Sequence, residues 1–223
     1  APAQVRLHVP PPLDRPLVVD HRAEGTVLLD GEVVVAEARP TALELLPPEP
    51  VGYPAAVAAR ESFDLDTYAT LHAFPTCFTC GPGRPAGEGL HFVPARPDNR
   101  EGVVASPWVP DSTYADPDGL VREEIVWAAL DCPSGLAWIV GDPATGPAVL
   151  GQFAVEILRR PSVGEQLVLY VWQVGAEGRK RYAGSAVWTA GGGLLATGEA
   201  TWIVLAGHQH GSFGAVAADG ARG

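Results

Sequence analysis

The stretch VREEIVWAALDCPSGLAWIV, from Val121 to Val140, decides the fold class. Apolar residues lie on nearly every face of the helix that it predicts, and after Glu124 only Asp131 carries a charge. A helix that is apolar on all sides must be enclosed by other elements. Pro133 lacks an amide hydrogen, so we expect the helix to kink, or to end its first section, just past Asp131.

Four β-rich runs follow this helix and one precedes it. The four span approximately 148–159, 166–174, 181–190 and 194–205, and they are separated by RPSVGE, GAEG and AGGG. Turn residues of this kind mark successive hairpins. A shorter run at 102–108 comes before the helix, and a candidate extra strand lies near 90–93. The predicted order is therefore strand, helix and four antiparallel strands, which is an α+β class.

The amino-terminal section repeats the later strands. VRLHVPPPLDRPLVV from Val5 aligns without a gap on VEILRRPSVGEQLVL from Val155, and apolar residues fall on apolar residues. VAEARPTAL from Val35 resembles TGEATWIVL from Thr197 once a shorter hairpin is allowed. The first section is thus predicted to be an incomplete second copy, made of strands only. Coincidence between two β-rich stretches is the alternative.

These patterns divide the chain into four parts. Residues 1–46 are the partial second copy, and residues 100–206 are the main domain. Residues 47–99, rich in Pro, Gly and Ala, are expected to be a connection with a short helix near 55–62. Residues 207–223 are expected to be a flexible tail.

Composition limits the possible partners. The formal net charge is −11, with 15 basic and 26 acidic residues and no long basic run. Nucleic acid and anionic membrane surfaces are therefore disfavoured. No stretch approaches the ~18 consecutive apolar residues of a membrane helix, and the first residues lack a signal-peptide pattern. Three cysteines are too few for a disulfide framework, so we expect a soluble, cytoplasmic protein.

The element order and two sets of motifs resemble a known superfamily. Strand, central helix and four antiparallel strands is the order of the hotdog fold. The helix resembles that of the phenylacetyl-CoA thioesterase branch, which carries His-Gly-Gly and, seven residues after the second Gly, an Asp. Arg122, Glu123 and Glu124 stand here at the His-Gly-Gly positions, and Asp131 stands at the Asp position.

A second resemblance covers more of the chain. HAFPTCFTCGPGR from His72 and GRKRYAGSAVWTAGGGLLATGEATWI from Gly178 resemble a group of uncharacterised actinobacterial thioesterase-like proteins. This match covers most of residues 72–205, whereas the helix match covers about ten residues. The two resemblances imply a hotdog fold, a homodimer or an internal pseudo-dimer, and a small-molecule acyl thioester as ligand. No cofactor is implied.

Thioester hydrolysis requires a carboxylate that attacks the carbonyl or activates a water, and donors that hold the developing oxyanion. The resemblance gives Asp131 the first role, as base or nucleophile. It gives the second to first-turn amides near Arg122 and Glu123, and Glu124 is an alternative acid or base. Burial on an apolar helix should raise the pKa of Asp131. Structural alternatives stand beside these roles: Asp131 can cap a second helical section, and the glutamates can be a surface pair complementing the helix dipole.

Two further observations bear on the activity. Hydratases of this fold pair the Asp with a His five residues later, and position 136 is Leu here, so hydrolysis or plain acyl-CoA binding remains. The phosphates of coenzyme A need local basic residues, and Arg179, Lys180 and Arg181 form the best cluster, although turn charges are commonly just solvated. The rival function is a catalytically silent hotdog domain that binds acyl groups or serves in assembly.

Cys77 and Cys80 form a C-x-x-C pair, with His72 and His91 on either side. This spacing allows a structural zinc site that would pin the long connection. In the alternative reading the cysteines are small apolar residues in a buried loop.

Overall fold

A computed structural model of the protein describes residues 2–97, 100–141 and 146–205. Within these residues, nine strands and three α-helices, together with a 3₁₀ turn at Ser112–Tyr114, follow one another along the chain. In order they are β1 (Ala3–Leu7), β2 (Val18–Arg22), β3 (Gly25–Asp30), β4 (Val33–Pro40), α1 (Tyr53–Glu61), α2 (Leu65–Leu71), β5 (Val103–Trp108), α3 (Glu123–Gly141), β6 (Ala148–Ile157), β7 (Leu167–Glu177), β8 (Lys180–Thr189) and β9 (Leu194–Val204).

The central helix α3 is enclosed, as its apolar sequence requires. It contacts β5, β6, β7, β8 and β9, and Val126, Leu130 and Ala137 have no exposed surface. The ring of Trp127 meets Phe153 of β6 edge to face, with centroids 5.6 Å apart. One strand before the helix and four after it, all antiparallel and wrapped on the helix, form the hotdog arrangement. The predicted α+β hotdog class is confirmed.

The helix does not end at Pro133, so of the two expected outcomes, a kink or an end of the first section, the end is wrong. It runs as one element of 19 residues to Gly141. An interior proline costs about 3 kcal/mol, but a helix that is packed on most sides recovers this through tertiary contacts. Hydroxyl groups also bond carbonyls beside the proline: Thr79 Oγ1 donates to Ala128 O at 3.0 Å and Ser134 Oγ to Asp131 O at 2.6 Å.

All nine strands belong to one antiparallel sheet, in the order β2-β3-β4-β1-β6-β9-β8-β7-β5. The amino-terminal residues thus form strands that join the main sheet. The order β2, β3, β4, β1 mirrors the order β7, β8, β9, β6 across the junction between β1 and β6. Within the described residues this first half has no helix of its own corresponding to α3.

The connection holds more helix than the sequence indicated. The predicted helix near 55–62 is present as α1, which packs on β5 and β7. α2 was not anticipated, and Asp64 caps it by accepting a hydrogen bond from Thr67 N at 2.9 Å. Residues 90–93 form no strand, and only an isolated bridge joins Ala95 to Ala105. The predicted tail at 207–223 lies outside the described residues.

No helix in the described part of the chain has both the length and the apolar character needed to cross a membrane.

Candidate functional site

Asp131 lies in the middle of α3, two residues before Pro133, and its backbone is helical on both sides. It therefore caps no second helix. Its side-chain Oδ1 is shielded from solvent and has no hydrogen-bond partner. Burial, and secondarily the nearby Cys77, raise the pKa of Asp131 to about 7. The direction is the one expected from the sequence, because a desolvated carboxylate holds its proton more strongly.

A loop of the connection, residues 73–92 (the cysteine loop), covers the face of α3 that carries Asp131. Thr79 bonds the helix through Ala128, and Phe78 packs edge to face on Tyr114 with ring centroids 5.7 Å apart. Backbone hydrogen bonds from Leu90 N to Phe78 O and from Phe92 N to Thr79 O, both 2.8 Å, close the loop. The surroundings of Asp131 are thus built by this loop as well as by the sheet.

The same loop brings three cysteines together. Sγ of Cys132 lies 3.0 Å from Sγ of Cys80 and 3.5 Å from Sγ of Cys77, and all three are free thiols. Hydrogen bonds with the Cys132 and Cys80 thiols, helped by backbone N–H groups of Cys80 and Thr79, lower the pKa of Cys77 well below its usual range. The hydrogen bond with Cys77 raises the pKa of Cys132.

The two histidines of the predicted zinc site do not join this group. His72 Nδ1 accepts a hydrogen bond from Phe74 N at 3.0 Å, and His91 Nε2 lies 3.1 Å from Pro85 O. The predicted set of His72, Cys77, Cys80 and His91 is therefore not assembled. The third sulfur comes from Cys132, which sequence reasoning missed. The one available signal was that the chain has three cysteines, with the third beside Asp131.

The first turn of α3 is set apart from Asp131. Glu124 is exposed and pairs with Arg122, with Oε1 and Nε 2.9 Å apart, and Glu123 is also exposed. Asp131 lies eight positions after Glu123, which at a helical rise of ~1.5 Å per residue is about 12 Å. Within one chain, the first-turn amides and the Asp131 carboxylate are therefore too far apart to act on the same carbonyl group.

The basic cluster lies at the turn between β7 and β8. Arg179 and Lys180 are exposed, and Lys180 Nζ is 3.9 Å from Glu177 Oε2. Arg181 is half-buried, and its guanidinium carbon lies 5.4 Å from the ring centroid of Trp138 on α3. The cluster is thus beside the carboxyl-terminal half of the helix, about two turns beyond Asp131.

Among the described residues, two cavities lie away from Asp131. One, of about 540 Å³, lies between α2 and the cysteine loop, and its lining includes Arg60, Tyr68, Cys80 and Arg84. The other, of about 380 Å³, lies over the junction of β1 and β6 and includes Glu199. Asp131 lines neither of them.

No model of a known protein family matches the sequence, and no curated protein does. Solved structures are similar over about half of the chain. Zebrafish thioesterase superfamily member 2 has a TM-score of 0.44 at 16% identity, over 47% of this chain and 76% of that one. A Streptococcus mutans protein bound to acetyl CoA has 0.44 at 17%, over 52% and 96%. A hypothetical thioesterase from Streptococcus pneumoniae with coenzyme A has 0.44 at 16%, over 48% and 80%.

Proposed function

We propose that the protein hydrolyses an acyl thioester, such as an acyl-CoA, with Asp131 as the base. The observation that carries this proposal is the shielded Oδ1 of Asp131, which has no hydrogen-bond partner. Burying a polar group without a hydrogen-bond partner costs stability. Capping of a second helix would have given Asp131 a structural role, but α3 is continuous and there is no second helix to cap. An unpaired, solvent-shielded carboxylate oxygen on the central helix is a candidate for chemistry.

In the proposed reaction, the Asp131 carboxylate takes a proton from a water as the water oxygen attacks the thioester carbonyl carbon. The tetrahedral intermediate then collapses, the carbon–sulfur bond breaks, and the proton passes to the departing thiolate. The products are a carboxylic acid and a free thiol. Donors to the oxyanion would come from an element other than the first turn of the same α3, because that turn is too distant within one chain.

The ligand's phosphates would bind at Arg179, Lys180 and Arg181. Arg181 is the most defined of the three, since its guanidinium is already held over Trp138. The positive charge at this turn is local, in a chain whose net charge is −11. Mutual repulsion between an acidic protein and coenzyme A would be offset at this place.

A second candidate is a catalytically silent domain that binds an acyl group. The exposed Glu123 and Glu124 favour it, because they replace the glycines of the resembling thioesterases and place negative charge where an oxyanion would be held. The loop that covers α3 near Asp131 also favours the silent domain.

A hydrolysis screen separates the two functions. Acyl-CoA esters of graded length are mixed with the full chain, thiol release is followed optically, and binding is measured by calorimetry. The hydrolase proposal expects turnover that falls on the order of 10²-fold or more in Asp131→Asn. Glu124→Gln is the matched control and should keep full turnover, since Glu124 is exposed and paired with Arg122. Binding without turnover supports the silent domain. If the chain shows no binding and no turnover, both proposed functions are contradicted.

A further inference from the structure

Three sulfur atoms converge where the cysteine loop meets the central helix. Cys77 and Cys80 come from the loop and Cys132 from α3, and all three sulfur atoms lie within 4.8 Å of one another. In sequence the loop pair and the helix residue are 52 and 55 positions apart. The group is built by tertiary structure, and neither proposed function uses it.

We infer that Cys77, Cys80 and Cys132 together bind one zinc ion, with a water in the fourth position. Thiolates are preferred zinc ligands, and zinc–sulfur bonds of ~2.3 Å in a tetrahedral site place the sulfur atoms about 3.8 Å apart. The observed separations of 3.0 and 3.5 Å need only small side-chain adjustments to reach that value.

A tight turn holds the two cysteines of the loop in place. Gly81 follows the C-x-x-C pair, and its N–H donates to Cys77 O at 2.9 Å, which closes a tight turn. A methyl group at Gly81 would lie 2.5 Å from Cys77 N, Cys77 O and Pro75 O, so the turn requires glycine. The turn thus holds Cys77 and Cys80 on the same side as Cys132, whose sulfur lies 3.5 and 3.0 Å from theirs.

Two other arrangements fit the distances less well. A disulfide has a sulfur–sulfur bond of ~2.05 Å, and the Cys80–Cys132 separation of 3.0 Å is well beyond it. Within the described residues, no histidine or carboxylate oxygen joins the three sulfur atoms in a single group. The fourth position of a tetrahedral ion therefore falls to a solvent molecule, and the site differs from one built with His72 and His91.

The ion would tie the cysteine loop to the central helix α3. The described part of the connection, residues 47–97, otherwise contacts α3 through single hydrogen bonds such as that of Thr79 and through apolar packing. A metal held from both sides would fix the loop over the helix face that carries Asp131. This inference does not rest on thioester hydrolysis, and its tests measure metal and not activity.

Metal content is the first test. The full chain, expressed with added zinc and purified without chelator, should contain about one zinc per chain. Loss of a residue that only hydrogen-bonds a metal ligand already costs ~10- to 100-fold in metal affinity. Cys132→Ser removes a ligand itself, so it should weaken zinc binding by about 100-fold or more, measured against a competing chelator. His91→Asn is the control and should retain full affinity. Asparagine also tolerates the positive φ of 48° at this position.

A second measurement covers the case in which the serine variant fails to fold. Cobalt(II) titrated into the zinc-depleted wild-type chain should give thiolate-to-cobalt charge-transfer bands and the visible bands of a tetrahedral ion. Their absence would overturn the inference, as would a Cys80–Cys132 disulfide found by mass spectrometry in metal-free protein. Loss of zinc in His91→Asn equal to that in Cys132→Ser would overturn it as well.

Discussion

Trp202 on β9 donates a hydrogen bond from Nε1 to Ser134 Oγ on α3, at 2.8 Å. The ring lies directly over Gly135, where an added methyl group would be 2.9 Å from Cε2. Ser134 passes the interaction on by donating to Asp131 O. The sheet and the centre of the helix are therefore joined by one chain of polar contacts next to the candidate base.

The first prediction concerns this contact. Gly135→Ala should lower the free energy of unfolding by about 1–3 kcal/mol, because overpacking against Trp202 outweighs the gain in helix propensity of up to ~1 kcal/mol. Denaturant midpoints measure the effect. Gly175→Ala is the control, since a methyl group there would meet no atom within 4 Å. Equal stability of wild type and Gly135→Ala would mean that the ring can move aside.

Asp131 gives a prediction about stability that is separate from turnover. Asp131→Asn should unfold at the same temperature as wild type or at a higher one. In the wild type, Oδ1 of Asp131 is shielded from solvent and has no hydrogen-bond partner, and the substitution removes the negative charge from this position. Catalytic residues are often kept at such a cost. Thermal unfolding at neutral pH checks this. A marked loss of stability would instead assign the carboxylate a structural role.

The junction between β1 and β6 predicts a pattern of amide protection. β1 is hydrogen-bonded on both sides, by β4 and by β6, whereas β2 pairs only with β3 at the edge of the sheet. Residues 3–7 should therefore exchange their amide hydrogens slowly, like residues 148–157, and residues 18–22 should exchange faster. Hydrogen exchange followed by mass spectrometry resolves the three segments. Fast exchange throughout residues 3–40 would show that the first half docks weakly.

The pair of Arg159 and Glu165 predicts a pH dependence. Its hydrogen bonds, 2.5 and 3.2 Å long, lower the pKa of Glu165 from its usual 4.5, with smaller help from Ser162 N–H. A lowered folded-state pKa means that the pair stabilises the protein above pH 4.5 and that this contribution is lost as the pH falls through the lowered value.

Glu165→Gln should therefore cost about 1 kcal/mol or less at neutral pH, as for other surface pairs, and nothing in strong acid. Urea midpoints of the variant and wild type, compared from neutral to acidic pH, give the difference directly. Glu101→Gln, at an exposed position before β5, is the control. A difference that stays constant with pH would contradict the assignment.

The elements that follow local patterns could be predicted from the sequence. Alternating side chains and turn residues located β5 to β9, and the apolar run from Val121 located α3. The 150-residue offset between Val5 and Val155 anticipated strands at the amino terminus, and the register has the same symmetry, since residues 3 and 155 pair, as do 5 and 153. Periodicity is a local signal, and a repeat is found by comparing the sequence with itself, so a single sequence contains both.

Two features could not be obtained in this way. The meeting of Cys132 with Cys80 is a tertiary contact, and nothing in the local pattern of either residue specifies the other. The continuity of α3 through Pro133 depends on packing from the sheet and from the cysteine loop. This packing outweighs the tendency of proline to end a helix. Both lie near Asp131, where the candidate chemistry is. Distances across the fold, and not residue types, decided which candidates came together.

The pairing of Gln4 with Ala154 also constrains how the chain can fold. β2, β3 and β4 can form hairpins as soon as they leave the ribosome, but the free edge of β1 finds its partner only after about 150 more residues have been synthesised. Such non-local pairings are slow, and an open strand edge invites incorrect association while it waits. Nascent chains should therefore depend on chaperones until β6 emerges, and shortened chains that end before β6 should aggregate.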